Sequence, residues 1–442
     1  MTTFQKPTRS NTGKRVAYIN ARLMDPESGL DAKGALLTDG NSIADFGERL
    51  FNDGKTPEGA EVVDCGGHVL CPGLLDIQVH FREPGQEYKE TIETGSMAAA
   101  AGGVTTVATM PNTKPVVDDV TVLAFLQKRA AETSYVNIRP YAAITKGQKG
   151  EELTEMAMLI EAGACGFTDD GLPVANAQIM RQALTMGAAL GVPIAQHAED
   201  HHLSNGGCMN EGWVATKLGL KGIPNVSEAV IVARDILLAQ LTGAHYHVLH
   251  ISTKEAVELV RWGKAKGINI TAEVAPHHFI LTDEAVIDYR TFSKMNPPLR
   301  AEADRIALIE GLADGTIDAI ATDHAPHDSE SKRVPMEAAS FGIVGLETML
   351  SLSLALYHRK QLSLREVLAA MTYKAADVIH ANAGRLKIGA PADLTLFDPN
   401  ADWTITNDEL HSKSKNSPFD GVVTKGRALR TVVRGECVFM YA

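Results

Sequence analysis

Short apolar runs alternate with longer helical stretches along most of this chain. Eight runs read as strands: residues 69–80, 105–110, 137–144, 164–169, 193–197, 245–251, 268–274 and 317–322. Between them, 93–101, 120–132, 151–162, 177–190, 227–241, 253–266 and 305–313 are rich in Ala, Leu, Glu and Lys and read as helices. Strand–helix alternation predicts a parallel sheet. Eight repeats are the number that closes a (β/α)8 TIM barrel, an α/β fold. The two ends of the chain read differently. Residues 16–21, 34–38 and 42–46, and again 393–397, 428–433 and 436–440, are short β segments punctuated by turn residues. Barrel termini lie close together, so these ends are expected to form one small β-sandwich domain. The expected division is 1–70 and 383–442 for its two halves, with the barrel over 71–382.

Composition narrows the class. The chain has 442 residues, 45% hydrophobic and 22% charged, which is ordinary globular usage. Its net charge of −12 leaves no basic excess for nucleic acid. No apolar run reaches the ~18 residues of a membrane span. The polar start, residues 1–15, has no apolar core of a secretion signal, and 1–13 reads as a flexible arm. Five cysteines without CxxC spacing (Cys65, Cys71, Cys165, Cys208, Cys437) fit a reducing cytoplasm rather than a disulfide framework. Cys71 lies at the start of the first strand, far from the rim where chemistry is expected. Gly102-Gly103 lacks phosphate-loop spacing and reads as a tight helix-to-strand connection.

Active sites of such barrels sit at the C-terminal strand ends. Those ends carry Gln78, His80 and Arg82; Asn112; Asp169 and Asp170; His197; His250; His277 and His278; and Asp323, His324 and His327. Imidazole and carboxylate from several strands at one rim suit a divalent ion such as zinc. Alternation puts Gln78, His80 and Arg82 on one face. Simpler roles exist for several of these. Arg82 could pair with Glu83 or Glu87, Asn112 could cap a turn before Pro115, and His327 could order its loop. His277 and His278 read as supporting or structural residues. His245 and His247 share a face with Leu249 rather than His250, and so read as barrel core or helix-facing.

Taken in order, several motifs resemble the dihydroorotases of the amidohydrolase superfamily. They include Val79-His80-Phe81-Arg82-Glu83-Pro84-Gly85, Gly102-Gly103-Val104-Thr105-Thr106 and Met110-Pro111-Asn112-Thr113. Phe167-Thr168-Asp169-Asp170-Gly171, Asp323-His324-Ala325-Pro326-His327 and Phe341-Gly342-Ile343-Val344-Gly345-Leu346-Glu347-Thr348 continue the series, and Lys415-Asn416-Ser417-Pro418-Phe419 closes it. The resemblance spans nearly the whole chain, and is to the branch that uses an aspartate rather than a carboxylated lysine as metal bridge. It implies reversible, metal-dependent cyclisation of N-carbamoyl-L-aspartate to L-dihydroorotate in pyrimidine synthesis.

By the same resemblance, His80, Asp170, His197, His250 and Asp323 are metal-site residues, and Asp323 is also the catalytic base and acid. Asp170 fits the bridge better than its neighbour Asp169. Arg82, Asn112 and His327 hold the substrate carboxylate, Asn296 contacts the ring, and 328–340 matches a mobile loop. One departure stands out. Gln78 occupies the first position of the family's His-x-His, and a neutral amide is a poorer zinc ligand than imidazole. One or two divalent ions therefore remain open. The resemblance also suggests a homodimer. Two alternatives remain: another cyclic-amide hydrolase (allantoinase, hydantoinase or dihydropyrimidinase), or a non-catalytic partner of aspartate transcarbamoylase.

Overall fold

The computed structural model describes residues 2–7 and 13–441. Eight parallel strands form the barrel: β1 (Leu74–Val79), β2 (Val104–Thr109), β3 (Asn137–Pro140), β4 (Phe167–Thr168), β5 (Ile194–Gln196), β6 (Tyr246–Val248), β7 (Ile270–Val274) and β8 (Ala319–Ile320). β1 to β3 pair in sequence order, as do β4 to β8. Two single bridges join these groups into a ring: Ala142 with Phe167 beyond β3, and Val79 with His324 beyond β8.

Alternation along the strands divides two cores. Tyr246 and Val248 of β6 face the helices, packing with Ile236, Val257 and Val260. Leu249, with Leu75, Ile77, Ala108 and Ala195, fills the interior. His247 joins that interior, bonded to Thr271 and Glu273. The surrounding helices start where side chains can take up free N–H groups. Asp119 caps Val120–Thr133, Asn176 caps Ala177–Leu190 and Thr253 caps Lys254–Ala265.

The chain ends form one nine-stranded sheet. Leu394–Thr404 lies beside Val69–Pro72, which lies beside Arg15–Asp25, so strands from both termini interleave. Val16, Tyr18, Leu36 and Ile43 pack with Leu394, Leu396 and Val432 in a core separate from the barrel's.

Several sequence expectations are corrected. The run 69–80 is two strands, Val69–Pro72 in the terminal sheet and β1 in the barrel, divided at Gly73. A Cβ there would collide with the Thr105 side chain. The helix expected over 151–162 covers only Met156–Glu161, because 151–155 fold back on the preceding loop through a Thr145–Leu153 bridge. Strand 137–144 is regular only to Pro140: the Tyr141 N–H still reaches the Thr109 carbonyl, but Ala143 turns its N–H to the Val117 carbonyl. The arm expected over 1–13 is partly a strand: Thr3–Phe4 pairs with Met440 and Phe439. Residues 1 and 8–12 lie outside the described residues.

All five cysteines are free. Among the described residues no helix is long and apolar enough to cross a membrane. The glycine pair is a close-packed connection, as expected. The Gly103 carbonyl accepts from Thr395 Oγ1 at 2.6 Å, and Gly102 lies against the Leu346 carbonyl. Replacing Gly102 with Ala would push a methyl into that carbonyl. We expect a loss of about 1–3 kcal/mol, measured as a lower denaturant midpoint. An unchanged midpoint would show that the contact relaxes freely.

Candidate active site

At the C-terminal rim of the barrel, a cavity of about 230 Å³ is lined by His80, Arg82, Asn112, Asp170, His197, His250, Asn296, Asp323 and His327, with Gly171, Ala325, Phe341 and Gly342. Residues from six strand ends, and from the excursion after β7, therefore meet in one space. Arg82, His250 and Asp323 all have positive φ, at 59°, 30° and 49°. Three non-glycine residues held in the left-handed region at one rim mark strain that the surrounding fold must sustain.

Asp170 is the centre of the site. It is 2% exposed, and its two oxygens face different groups. Oδ2 receives the Gln78 amide at 3.2 Å and lies 3.2 Å from His80 Nε2. Oδ1 has no hydrogen bond and stands 3.6 Å from His197 Nδ1 and 3.4 Å from His250 Nε2. Those two nitrogens are 2.9 Å apart. Burial alone would raise the Asp170 carboxyl, but His197, His250 and His80 pull it well below the usual carboxylate range. Burial would likewise depress His80 and His197. Instead, Asp170 and Asp323 raise His80 to about 9, and Asp170 with Glu199 raises His197 to about 10.

Each imidazole is oriented by a second contact. His80 Nδ1 meets Asn112 Oδ1 at 2.8 Å, leaving Nε2 toward Asp170 and, at 3.1 Å, Asp323 Oδ1. His197 Nε2 meets Glu199 Oε2 at 2.9 Å, leaving Nδ1 toward Asp170. Asn296 donates to the same Glu199 oxygen at 2.8 Å. A ring nitrogen that donates outward leaves the other turned inward, where a bound cation would displace its proton and take the lone pair, as in metal-ligating histidines.

The donor set fits a divalent ion. Ligands ~2.0–2.1 Å from zinc in a tetrahedron lie about 3.3 Å from one another. The edges among Asp170 Oδ1, His197 Nδ1 and His250 Nε2 are 2.9, 3.4 and 3.6 Å. His80, Asp170 and Asp323 form a second close group. At its edge stands Gln78, whose buried Oε1 has no partner.

Among the described residues Arg82 forms no ion pair with a carboxylate. Its guanidinium meets the Pro326 carbonyl at 3.3 Å and His327 Nε2 at 3.4 Å. The pairing considered for it with Glu83 or Glu87 is absent: Glu83 pairs with Arg129, and Glu87 accepts from the Gly85 N–H. Burial lowers Arg82 to about 10, and burial together with Arg82, Lys89 and Lys332 holds His327 far below its ordinary value. A buried cation beside a neutral imidazole, open to a cavity, is built to receive an anion.

Other candidates lie elsewhere. Asp169 turns away, bonded to Thr145, and burial raises it to about 6. His278 bonds the Pro297 carbonyl, and His277 is buried with Nε2 unpartnered. His324, next to Asp323, is held by Glu90 and the Gly345 N–H. Glu199 was not singled out by its residue type. Its signal was position, two residues beyond His197 at the same strand end.

A family profile described as dihydro-orotase-like matches residues 67–256. The dihydroorotase of Wolbachia sp. subsp. Brugia malayi (strain TRS) is 58% identical over 96% of each chain. That of Anaplasma phagocytophilum (strain HZ) is 55% identical over 96% of this chain and 95% of its own. That of Geobacter sp. (strain M21) is 48% identical over 95% and 97%. Among solved structures, L-hydantoinase (dihydropyrimidinase) from Arthrobacter aurescens superposes with TM-score 0.86 at 25% identity, covering 97% of this chain and 96% of that one. D-hydantoinase (dihydropyrimidinase) from Thermus sp. gives 0.79 at 27%, covering 96% and 94%. Solved relatives thus share the barrel and terminal sheet, while nearly full-length identity of about half or more falls with one group: the chain belongs to the dihydroorotase family.

Proposed function

We propose that this protein interconverts N-carbamoyl-L-aspartate and L-dihydroorotate, the cyclic-amide step of pyrimidine synthesis, with a bound divalent ion, zinc by donor chemistry. One observation carries the reading. A metal-type trio, Asp170–His197–His250, shares one cavity with Arg82, which forms no ion pair among the described residues. An acidic protein that takes an anionic substrate needs such a local cation, because its global field repels the ligand.

Asp170, His197 and His250 would hold the ion, and His80 and Asp323 border the same space. The ion supplies Lewis acidity and makes water beside it a stronger acid. Arg82, with Asn112 and His327, binds and orients the substrate carboxylate, bringing the ring amide toward Asp323. In hydrolysis, water adds to the ring amide carbon and the carbon–nitrogen bond breaks. Asp323 takes the water's proton and delivers it to the leaving nitrogen, as base and then acid. His80 Nε2 fixes the carboxylate that does this. The hydrolysis product carries one more carboxylate, so a proton is released overall, and lower pH favours cyclisation.

The hydantoinase alternative lacks its lysine: the residues after Phe167 are Thr168, Asp169 and Asp170. Only Gln78 favours a non-catalytic partner of aspartate transcarbamoylase, so we read the chain as an enzyme in its own right.

The test is turnover of both substrates by the purified chain alone. Asp323→Asn is expected to lower kcat about 10²–10⁴-fold in both directions; activity within twofold of wild type would remove Asp323 from proton transfer. For Glu199→Ala, competition with a chelator should show about 10–100-fold weaker metal retention. Undiminished affinity would make Glu199 irrelevant to His197 as a ligand. Gln78 contributes an amide where an imidazole would complete the second group. Dialysed wild type should therefore retain about one ion per chain, and Gln78→His about two. Equal metal content in the two proteins would show that Gln78 does not limit occupancy.

A further inference from the structure

Behind the cavity wall lie two buried lysines, Lys332 at 0% exposure and Lys294 at 2%. Neither forms an ion pair with a carboxylate among the described residues. Burial pulls Lys332 down to about 7, and the repulsion of Lys294 adds to it. A buried ammonium without a counter-charge is expensive, and an apolar side chain of similar length would normally be more stable there.

What Lys332 has instead is a cage. Its Nζ donates to the carbonyls of Lys294 at 3.0 Å, Ser340 at 2.8 Å and Gly342 at 3.0 Å. Three acceptors match the three N–H donors of an ammonium; a neutral amine would leave one carbonyl facing a lone pair. Lys294 reaches the opposite way. Its Nζ donates to the carbonyls of Met336 at 2.7 Å and Glu337 at 3.1 Å, and sits 4.3 Å from the Phe341 ring centre. The Gly342 N–H closes the pattern on the Lys294 carbonyl at 3.1 Å.

These bonds join two segments that both reach the cavity. Lys294 precedes Asn296 by two residues, and the segment from Ser329 ends at Phe341 and Gly342; Asn296, Phe341 and Gly342 all line the cavity. The charge is felt there too, since Lys332 is among the cations that depress His327. Resting on the dihydroorotase reading, we propose that Lys332, crossed by Lys294, is a positioning residue. It fixes the Phe341–Gly342 wall against Asn296 and His327, and so sets the cavity's affinity for the substrate carboxylate.

The test compares wild type with Lys332→Met, which keeps length and removes charge and donors. Steady-state kinetics with L-dihydroorotate, metal content and limited proteolysis within 328–340 are read on each protein. The expected result is KM raised about tenfold or more, kcat within about threefold, metal unchanged and cleavage accelerated. Unchanged KM overturns the proposal, whether or not cleavage accelerates. A fall in kcat with loss of metal also overturns it, because the defect would then be general. If Lys332→Met does not fold, Lys294→Met decides by the same readouts. A wild type that turns over neither substrate would sink the dihydroorotase reading, and calorimetric titration of L-dihydroorotate into wild type and Lys332→Met would then decide the proposal: weaker binding by the variant supports it, and equal or no binding overturns it.

Discussion

A carboxylate cannot stay ionised inside a protein unless something replaces the water it has lost. Asp170 is such a group, and the rim of the barrel is organised around it. Its two oxygens divide the neighbourhood: Gln78 and His80 on one side, His197 and His250 on the other. The partners come from three strands, Gln78 and His80 from β1 and its end, His197 from the end of β5 and His250 from the end of β6. The carboxylate therefore demands a closed barrel in register, and the closure at Val79–His324 carries the neighbouring His80 and Asp323 into place. Outer contacts from Asn112 and Glu199 turn the rings so that their inward nitrogens are available. One buried charge thus links fold closure, ring orientation and ligand geometry.

Charge at longer range works in the opposite sense. The chain as a whole is acidic, yet the cavity gathers cations. Among the described residues Arg82 is buried without a close ion pair, and Lys294 and Lys332 donate to backbone carbonyls. None of the three forms a close ion pair among the described residues, so their donors stay free of carboxylates although Asp170 and Asp323 share the cavity with Arg82. His327, depressed by burial and by neighbouring cations, stays neutral beside Arg82 and can donate or accept without adding repulsion. The same chain thus holds a dense negative centre at Asp170 and a positive wall a few side chains away.

Much of this was legible in the sequence, because periodicity and strand-end position are one-dimensional signals. Helix 177–190 was readable to the residue, since Asn176 caps it and Gly191 follows with positive φ. Asp170 over Asp169 rested on spacing, and the two side chains do diverge, one to the histidines and one to Thr145. What was not legible depended on contacts distant in sequence. The break at Gly73 reflects the Thr105 side chain across the sheet, which no local pattern around residue 73 announces. Residues 151–155 look helical by composition but are held by pairing with the preceding loop. Lys332 sits in a polar, charged segment that reads as solvated surface. Its burial follows from backbone carbonyls, which carry no sequence signature.

The interleaved terminal sheet has a bearing on how the molecule is made. Cys71 and Thr395 lie 324 residues apart and meet in adjacent strands. During synthesis at about 5–20 residues per second, the first must wait on the order of tens of seconds for the second. Throughout that interval Val69–Pro72 presents an unpaired edge of four residues that are buried in the finished protein. The barrel, whose strands pair mostly with near neighbours in sequence, can assemble while the ribosome is still working. The terminal sheet cannot, and it therefore acts as a seal that forms last. Nascent chains released early would carry the barrel's strands but leave that apolar edge open to other chains.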